Sequence, residues 1–271
     1  MLELDKIYNG DCYKKIKEIP DKSIDLIYTD IPYLFTTGGT NKTEMGERRK
    51  KLNKQLHNFN EKLNNNTDPS KHHSIRIDKY HTENKLNVVS MDTGIDYKIL
   101  DDFCRVLKKI NIFIWCNKAQ ILDLLKYFVE TKNCYFDLLI WAKTNAIPTN
   151  QTLLSDMEYC LYFREKGVKI NNNYDLKSKW YVSGTNKKDK EKWLHPTIKP
   201  LEFVTNHILL ASQPQDTVLD CFAGTGTTGV ACKNNDRHFI LIEKNPIFYE
   251  IANNRINDLV DCRGQYSMFA V

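Results

Sequence analysis

"VLDCFAGTGTTG", residues Val218 to Gly229, decides the fold of this 271-residue chain. The short apolar run ending on Asp220 reads as a buried strand, Gly224, Gly226 and Gly229 as a tight turn, and "GTTGVACKNN" as the helix that leaves it. The next apolar run, "RHFILIE", reads as a second strand that ends on Glu243, about twenty residues beyond the turn. Strand, glycine turn, helix and strand form the repeating unit of a parallel sheet. In such a unit the glycines let a ligand approach the backbone, the helix N-terminus offers free N–H groups, and an acid at the end of the second strand takes ribose hydroxyls.

The three glycines fit GxGxxG, a pattern that by itself is a weak signal, open to a ligand-free tight turn or a nicotinamide-dinucleotide site. Two residues point elsewhere. Asp220 lies four residues before Gly224, where a carboxylate repels a pyrophosphate and attracts a cationic or amino-bearing ligand. Phe222 supplies an apolar wall for a flat or sulfur-bearing ligand. S-adenosyl-L-methionine has the ammonium, sulfonium and ribose that this corner suits, and no phosphate.

Upstream of the corner, strands alternate with helices. "KIYNGD" reads as a strand, "CYKKIKEI" as a helix stopped by Pro20, and Ile24 to Tyr28 of "SIDLIYTD" as a buried strand. A helical stripe follows at Ile95, Ile99, Phe103, Val106 and Ile110, then a strand "INIFIWC", a helix "KAQILDLLKYFVE", strands "YFDLLIWAK" and "EYCLYFR", and a helix "PLEFVTNHILLAS". "PIFYEIANNRINDL" reads as the last helix. Two stretches interrupt the order. Residues 36–89 are Asn-, Lys- and His-rich and poor in large apolar residues, which predicts a mobile basic insertion that orders on a partner. Residues 165–194 are basic, Asn-rich and aromatic, which predicts a small separate recognition region.

Charge follows the same division. The chain carries a net charge of +5, yet Gly38 to Ser90 holds eleven Lys or Arg against six Asp or Glu, and Arg164 to Lys199 holds ten against four. The remainder is therefore net acidic. Two basic segments on an acidic body suit contact with phosphates, and they also suit ordinary solvated loops.

Hydrophobic residues at 41% and charged residues at 27% are ordinary for a soluble globular protein, and the longest apolar runs are far too short to span a membrane. Met1 to Asp11 alternates charged and apolar residues like a first strand rather than a secretory signal, which predicts a cytoplasmic protein. The eight cysteines show no CxxC pair and no ligand-like spacing, so they read as small buried residues. His72 and His73 lie in a polar stretch and read as solvated loop. No metal is assigned.

Two further motifs complete the pattern. "TDIPY", Thr29 to Tyr33, places an acid, a proline and an aromatic at the end of a buried strand. "HPTIKP", His195 to Pro200, stiffens the entry to a helix, with His195, Thr197 and Lys199 near its start. Taken together, "TDIPY" early, "HPTIKP" late and "DCFAGTGTT" after it resemble the DNA amino-methyltransferases, which carry an Asp-Pro-Pro-Tyr type tetrad in one half and a DxFxGxG loop in the other. The motif order resembles the permuted beta group. "YNGDCYKKIKEIPDKSIDLIYTD" and "EKNPIFYEIANNRI" also read like its flanking segments, so the resemblance covers most of the chain.

The resemblance implies an α/β, Rossmann-like fold with a mostly parallel twisted sheet, and methyl transfer from S-adenosyl-L-methionine to the exocyclic N6 of adenine in a base flipped out of double-stranded DNA. N4 of cytosine is the nearest alternative. An RNA or protein-amide methyltransferase, a catalytically weak DNA-binding specificity subunit, and a nicotinamide-dependent oxidoreductase are more distant ones. It implies catalytic roles for Asp30, Ile31, Pro32 and Tyr33. Asp30 and the Ile31 carbonyl accept the amine N–H groups and Tyr33 stacks on the base. It implies cofactor contacts from Asp11, Cys12, Asp30, His195, Thr197, Lys199, Asp220, Phe222, Gly224, Gly226, Thr227, Thr228 and Glu243, although Asp11 also reads as a turn residue. The implied partners are DNA, a second copy in a homodimer and a cognate restriction nuclease, with the protein at the nucleoid through its DNA. Residues 36–89 would lie along the DNA backbone, and 165–194, with Trp180 and Tyr181 as stacking surfaces, would read the target sequence. The tetrad departs from the family pattern at Ile31, which keeps the main-chain oxygen and loses proline's fixed φ. A looser tetrad is therefore expected.

Overall fold

Apolar runs that are each followed by a returning helix pair as parallel strands, because the crossover brings the chain back to the same end of the sheet. The computed structural model describes residues 2–34, 94–146, 153–184 and 198–266, with side chains to residue 257 in the last segment. Eight strands form one sheet: β1 (Lys6–Asn9), β2 (Leu26–Asp30), β3 (Asn111–Cys116), β4 (Tyr135–Lys143), β5 (Met157–Arg164), β6 (Trp180–Ser183), β7 (Thr217–Asp220) and β8 (His238–Glu243). Their order is β1-β8-β7-β2-β3-β5-β4-β6. Only β5 runs against its neighbours; every other pairing is parallel.

Helices α1 (Cys12–Lys15), α2 (Ile99–Val106) and α3 (Ile121–Leu125) pack with Ile27, Ile31, Ile112, Ile114 and Leu219 on one face. Helices α4 (Leu201–Ala211), α5 (Thr227–Asn234) and α6 (Pro246–Tyr266) pack with Leu26, Tyr28, Phe113, Trp115 and Val218 on the other. The two sets of sheet residues alternate along each strand, as a sheet buried on both faces requires. The chain leaves β7 toward the face of α5, and α2, which leads into β3, lies on the opposite face. β2 lies between β7 and β3, so the connections of the adjacent strands β7 and β2 leave toward opposite faces, and open α/β sheets bind ligands at the carboxyl ends of such a switch point.

Three expectations change in detail. The strand expected over Ile24 to Tyr28 spans Leu26–Asp30, because Ile24 is spent in an isolated bridge to Leu107 and full pairing begins only where β7 and β3 flank the chain. Asp30 is thus the last residue of the strand, and the pleat sets its direction. The predicted stripe from Ile95 to Ile110 yields a helix only over Ile99–Val106. In the region read as a separate recognition module, Trp180–Ser183 is an edge strand of the main sheet, parallel to β4. The period of two then parts its aromatics. Trp180 is exposed, whereas Tyr181 turns inward against Phe203 and His207, with centroids 4.4 and 5.3 Å apart, which corrects its reading as a stacking surface.

The chain divides into two units, Met1–Ile31 with Ile95–Val271, and Pro32–Gly94. The sheet belongs to the first. In the second, Gly94 N–H donates to the Tyr33 carbonyl at 3.3 Å, joining the two ends of the insertion. The expected basic insertion, residues 36–89, lies outside the described residues. No helix among the described residues is long and apolar enough to cross a membrane.

Candidate active site

Four carboxylates stand at the carboxyl ends of four neighbouring strands: Asp11 just after β1, Glu243 on β8, Asp220 on β7 and Asp30 on β2. The sequence scatters them over more than two hundred positions, and only the strand order brings them together.

Asp220 is buried and turned inward. Its Oδ1 accepts from Thr29 Oγ1 at 2.9 Å and from the Phe222 N–H at 3.1 Å, and its Oδ2 accepts from Thr228 Oγ1 at 2.6 Å. One side chain thereby ties together β2, the loop after β7 and the first turn of α5. Burial pushes its carboxyl up to about 6 against these three donors. Glu243 does the same one strand over, accepting from the Gly224 N–H and the Asn245 N–H at 2.7 Å each. Burial raises it to about 7. Asp11 caps α1 by accepting from Tyr13 N–H at 2.9 Å, and it pairs with Lys244 at 3.0 Å.

The glycines of the turn answer two different needs. Gly224 and Gly226 have φ of +52° and +75°, the left-handed region. Gly226 and Gly229 are also packing residues: a Cβ on Gly226 would meet Ala252 Cβ at 2.9 Å, and one on Gly229 would meet Leu241 Cδ1 at 2.7 Å and Ile256 Cδ1 at 2.9 Å. They let α5 settle against β8 and α6. From α6 the buried Arg255 donates to the Thr225 carbonyl at 3.2 Å and to Thr227 Oγ1 at 2.9 Å, a brace that sequence reasoning missed.

Beyond Asp30 lies a chain of ion pairs. Lys199, buried at the head of α4, places Nζ 2.5 Å from Asp30 Oδ2 and 2.9 Å from Glu158 Oε2, with the Trp115 ring centroid 5.0 Å away. Glu158 also pairs with Lys143. Because β2, β3 and β5 are consecutive in the sheet, the lysine straddles β3 and grips a carboxylate on each flanking strand. Burial would raise the Glu158 carboxyl, but Lys199 and Lys143 outweigh it and hold it at about 2; burial would lower the Lys199 ammonium, but Asp30 and Glu158 outweigh it and hold it well above its usual range. Glu158 was legible only as a lone acid inside "MEYCLYF".

Next to Asp30, Ile31 is buried, and its N–H donates to the Trp115 carbonyl at 3.2 Å. Proline could not make that bond. The looseness expected at this position is offset by one more rung of the β2–β3 ladder.

Several expected ligand contacts are otherwise employed. Thr228 serves Asp220 and Thr227 serves Arg255, because both hydroxyls sit in the buried first turn of α5. Cys12 is buried, and burial pushes its thiol up to about 12. Phe222 is half-buried against the face of α2. Pro32 and Tyr33 follow Ile31 directly and open the second unit. His195 and Thr197 lie outside the described residues.

The donor set discriminates between ligand classes. In the glycine turn, the N–H groups of Phe222 and Gly224 are taken by Asp220 and Glu243 and that of Gly226 by the Ala223 carbonyl, so these groups do not form a cradle for phosphate and the charge behind the turn is negative. An edge of this sign suits a cationic ligand. The sequence profile of the N6/N4 group, described as DNA methylase, matches residues 24–254.

The chain belongs to the N6/N4 DNA methylase family.

As a member, this methylase is a DNA amino-methyltransferase acting on adenine N6 or cytosine N4. It is 27% identical to the type II methyltransferase M.HinfI of Haemophilus influenzae, across 94% of this chain and 69% of that protein. It is also 27% identical to the type II methyltransferase M2.MboI of Moraxella bovis, across 93% and 88%. Among solved structures, the M1.HpyAVI–SAM complex superposes with a TM-score of 0.59 at 22% identity, covering 92% of this methylase and 98% of that chain. The cytosine-N4-specific PvuII methyltransferase superposes at 0.58 with 13% identity, covering 94% and 91%. These likenesses establish the shared fold.

Proposed function

We propose that this methylase transfers a methyl group from S-adenosyl-L-methionine to the N6 amine of an adenine flipped out of double-stranded DNA. The observation that carries the reading is the juxtaposition of Asp30, at the end of β2, with the carboxylate-lined turn Asp220–Gly226 of the neighbouring strand. When bound, the cofactor supplies an electrophilic methyl group on a sulfonium. The residues Asp11, Asp220, Phe222, Gly224 and Glu243 would hold it, and the negative edge suits its charge.

The rest of the chemistry is assigned to the tetrad. An exocyclic amine is a weak nucleophile because its lone pair is delocalised into the ring. Asp30 accepts one amine N–H and the Ile31 carbonyl the other, which favours the rehybridised, attacking nitrogen. Tyr33, two residues on, stacks on the extruded base, and Pro32 stiffens the step between them. Positioning is the main device. The lysine-rich 36–89 segment follows Tyr33 in the chain and supplies phosphate contacts, and exposed Trp180 and Tyr174 support target reading by residues 165–194. Adenine is preferred over cytosine because the tetrad opens with Asp, which in the resembling enzymes accompanies adenine more often than Ser does.

The test is transfer from labelled S-adenosyl-L-methionine to unmethylated DNA, with product nucleosides resolved, for wild type, Asp30→Ala and Tyr33→Ala. N6-methyladenine from wild type and none from either variant supports the assignment. N4-methylcytosine moves the target to cytosine. Cofactor and DNA binding without transfer replaces the enzyme reading with a DNA-binding subunit.

A further inference from the structure

We propose that Lys199 and Glu158 are positioning residues of the methyl-transfer step, acting through Asp30. The proposal rests on the reading just given of Asp30 as the acceptor for the target amine, and it assigns a task to an ion-pair chain that the reading leaves unused.

The geometry carries it. A carboxylate at the end of a strand is free to rotate about χ2, yet an acceptor for a transferring amine must keep one oxygen on the nitrogen while the methyl group arrives in line. Asp30 Oδ2 is held by Lys199 Nζ at 2.5 Å, and the ammonium is itself held from the opposite strand by Glu158 at 2.9 Å, over the face of Trp115. Contacts on three sides restrict the ammonium, and through Oδ2 it restrains rotation of the Asp30 carboxylate. Lys143 completes the chain on the far side of Glu158, so that two anions and two cations balance.

Burial makes the arrangement exacting. Lys199 and Glu158 are withdrawn from water, where screening is weak and an unpaired charge is heavily penalised. A pair placed only for stability could sit anywhere in the core. This one terminates on the tetrad carboxylate, and it is built from three separate elements: the head of α4, β5 and β4. Among the described residues, Lys199 pairs with Asp30 from β2 and with Glu158 from β5, and Lys143 from β4 faces Glu158.

The experiment compares full-length wild type, Lys199→Met, Lys199→Arg, Glu158→Gln and the Lys199→Met/Glu158→Gln double variant. It measures single-turnover methyl transfer to DNA, cofactor affinity by calorimetry, and thermal stability. Lys199→Met is expected to slow transfer roughly 30-fold, a larger loss than any loss of cofactor affinity from the contact the resemblance also implies for this lysine. Lys199→Arg, which keeps the charge, is expected to recover part of the rate. Glu158→Gln is expected to slow transfer by less than Lys199→Met, and the double variant by no more than Lys199→Met alone, because Glu158 acts only through the lysine.

A folded Lys199→Met protein that transfers at the wild-type rate overturns the proposal, and so does a rate loss matched by an equal loss of cofactor affinity. If Lys199→Met fails to fold, the Arg and Gln variants decide, and wild-type rates in both overturn it. Wild type that transfers nothing defeats instead the functional reading on which the proposal rests.

Discussion

The backbone N–H of Ile31 donates to the carbonyl of Trp115 at 3.2 Å, across the step from the last residue of β2 to the middle of the tetrad. At this position the family's tetrad carries a proline, which stiffens the backbone by its ring. Here a hydrogen bond and a fully buried side chain hold the same carbonyl in place. Ile31→Pro, although it restores the family pattern, is therefore expected to destabilise the protein by about 1–3 kcal/mol through the orphaned Trp115 carbonyl and lost packing, and to slow transfer. Thermal denaturation checks this. An Ile31→Pro protein that melts higher and turns over faster would show that the ring matters more than the ladder.

Gly229 illustrates packing disguised as a ligand motif. Its substitution by alanine would drive a methyl group to 2.7 Å from Leu241 and 2.9 Å from Ile256. A loss of about 1–3 kcal/mol in denaturant unfolding is expected. Gly226→Ala should lose more, because it adds left-handed strain to a 2.9 Å clash with Ala252. If Gly229→Ala keeps wild-type stability and loses only cofactor binding, the glycine faces the ligand after all.

Thr29 is the hidden member of the site. Thr29→Val preserves shape and removes the donor 2.9 Å from Asp220 Oδ1. Stability should fall by about 1 kcal/mol, and cofactor affinity several-fold, as the loop loses one of its ties. Calorimetric titration of the cofactor into the folded variant gives the answer, and unchanged affinity would confine Thr29 to the core.

Glu243 and Asp220 predict a pH dependence. Burial raises Glu243 from an ordinary 4.5 to about 7 and Asp220 from 3.8 to about 6. In both cases the folded state binds the proton more tightly than the unfolded one, so their contribution is complete below about pH 4 and is lost as pH rises through 6 and 7. For Glu243 the loss is on the order of 3 kcal/mol. The ligand-free protein should therefore lose Tm between about pH 5 and 8, and Glu243→Gln should flatten the curve. A cationic ligand favours the ionised carboxylates, so its affinity should rise with pH over the same range. A Tm that climbs from pH 5 to 8 in wild type and not in Glu243→Gln would reverse the sign assigned to Glu243.

The amino-acid sequence by itself determined most of the elements and the family. Strand, glycine turn and helix at Val218 to Gly229, the acid ending "SIDLIYTD" and the proline-stiffened "HPTIKP" are local signals, because periodicity, turn chemistry and caps act over a few residues. The span of β4 was legible to the residue for the same reason. Pairing was not local. The placement of Trp180–Ser183 as an edge strand depends on β4 offering an unpaired edge, and no window of residues contains that fact.

The tertiary structure alone decided what each site residue touches. Asp11, Asp30, Asp220 and Glu243 become neighbours only through the order β1-β8-β7-β2. Thr29 and Thr228 reveal themselves as partners of Asp220, and Glu158 as the second grip on Lys199, only when strands far apart in the chain lie side by side. The physical reason is range. A hydrogen bond or a buried ion pair acts over about 3 Å in space, and the sequence records distance only along the chain.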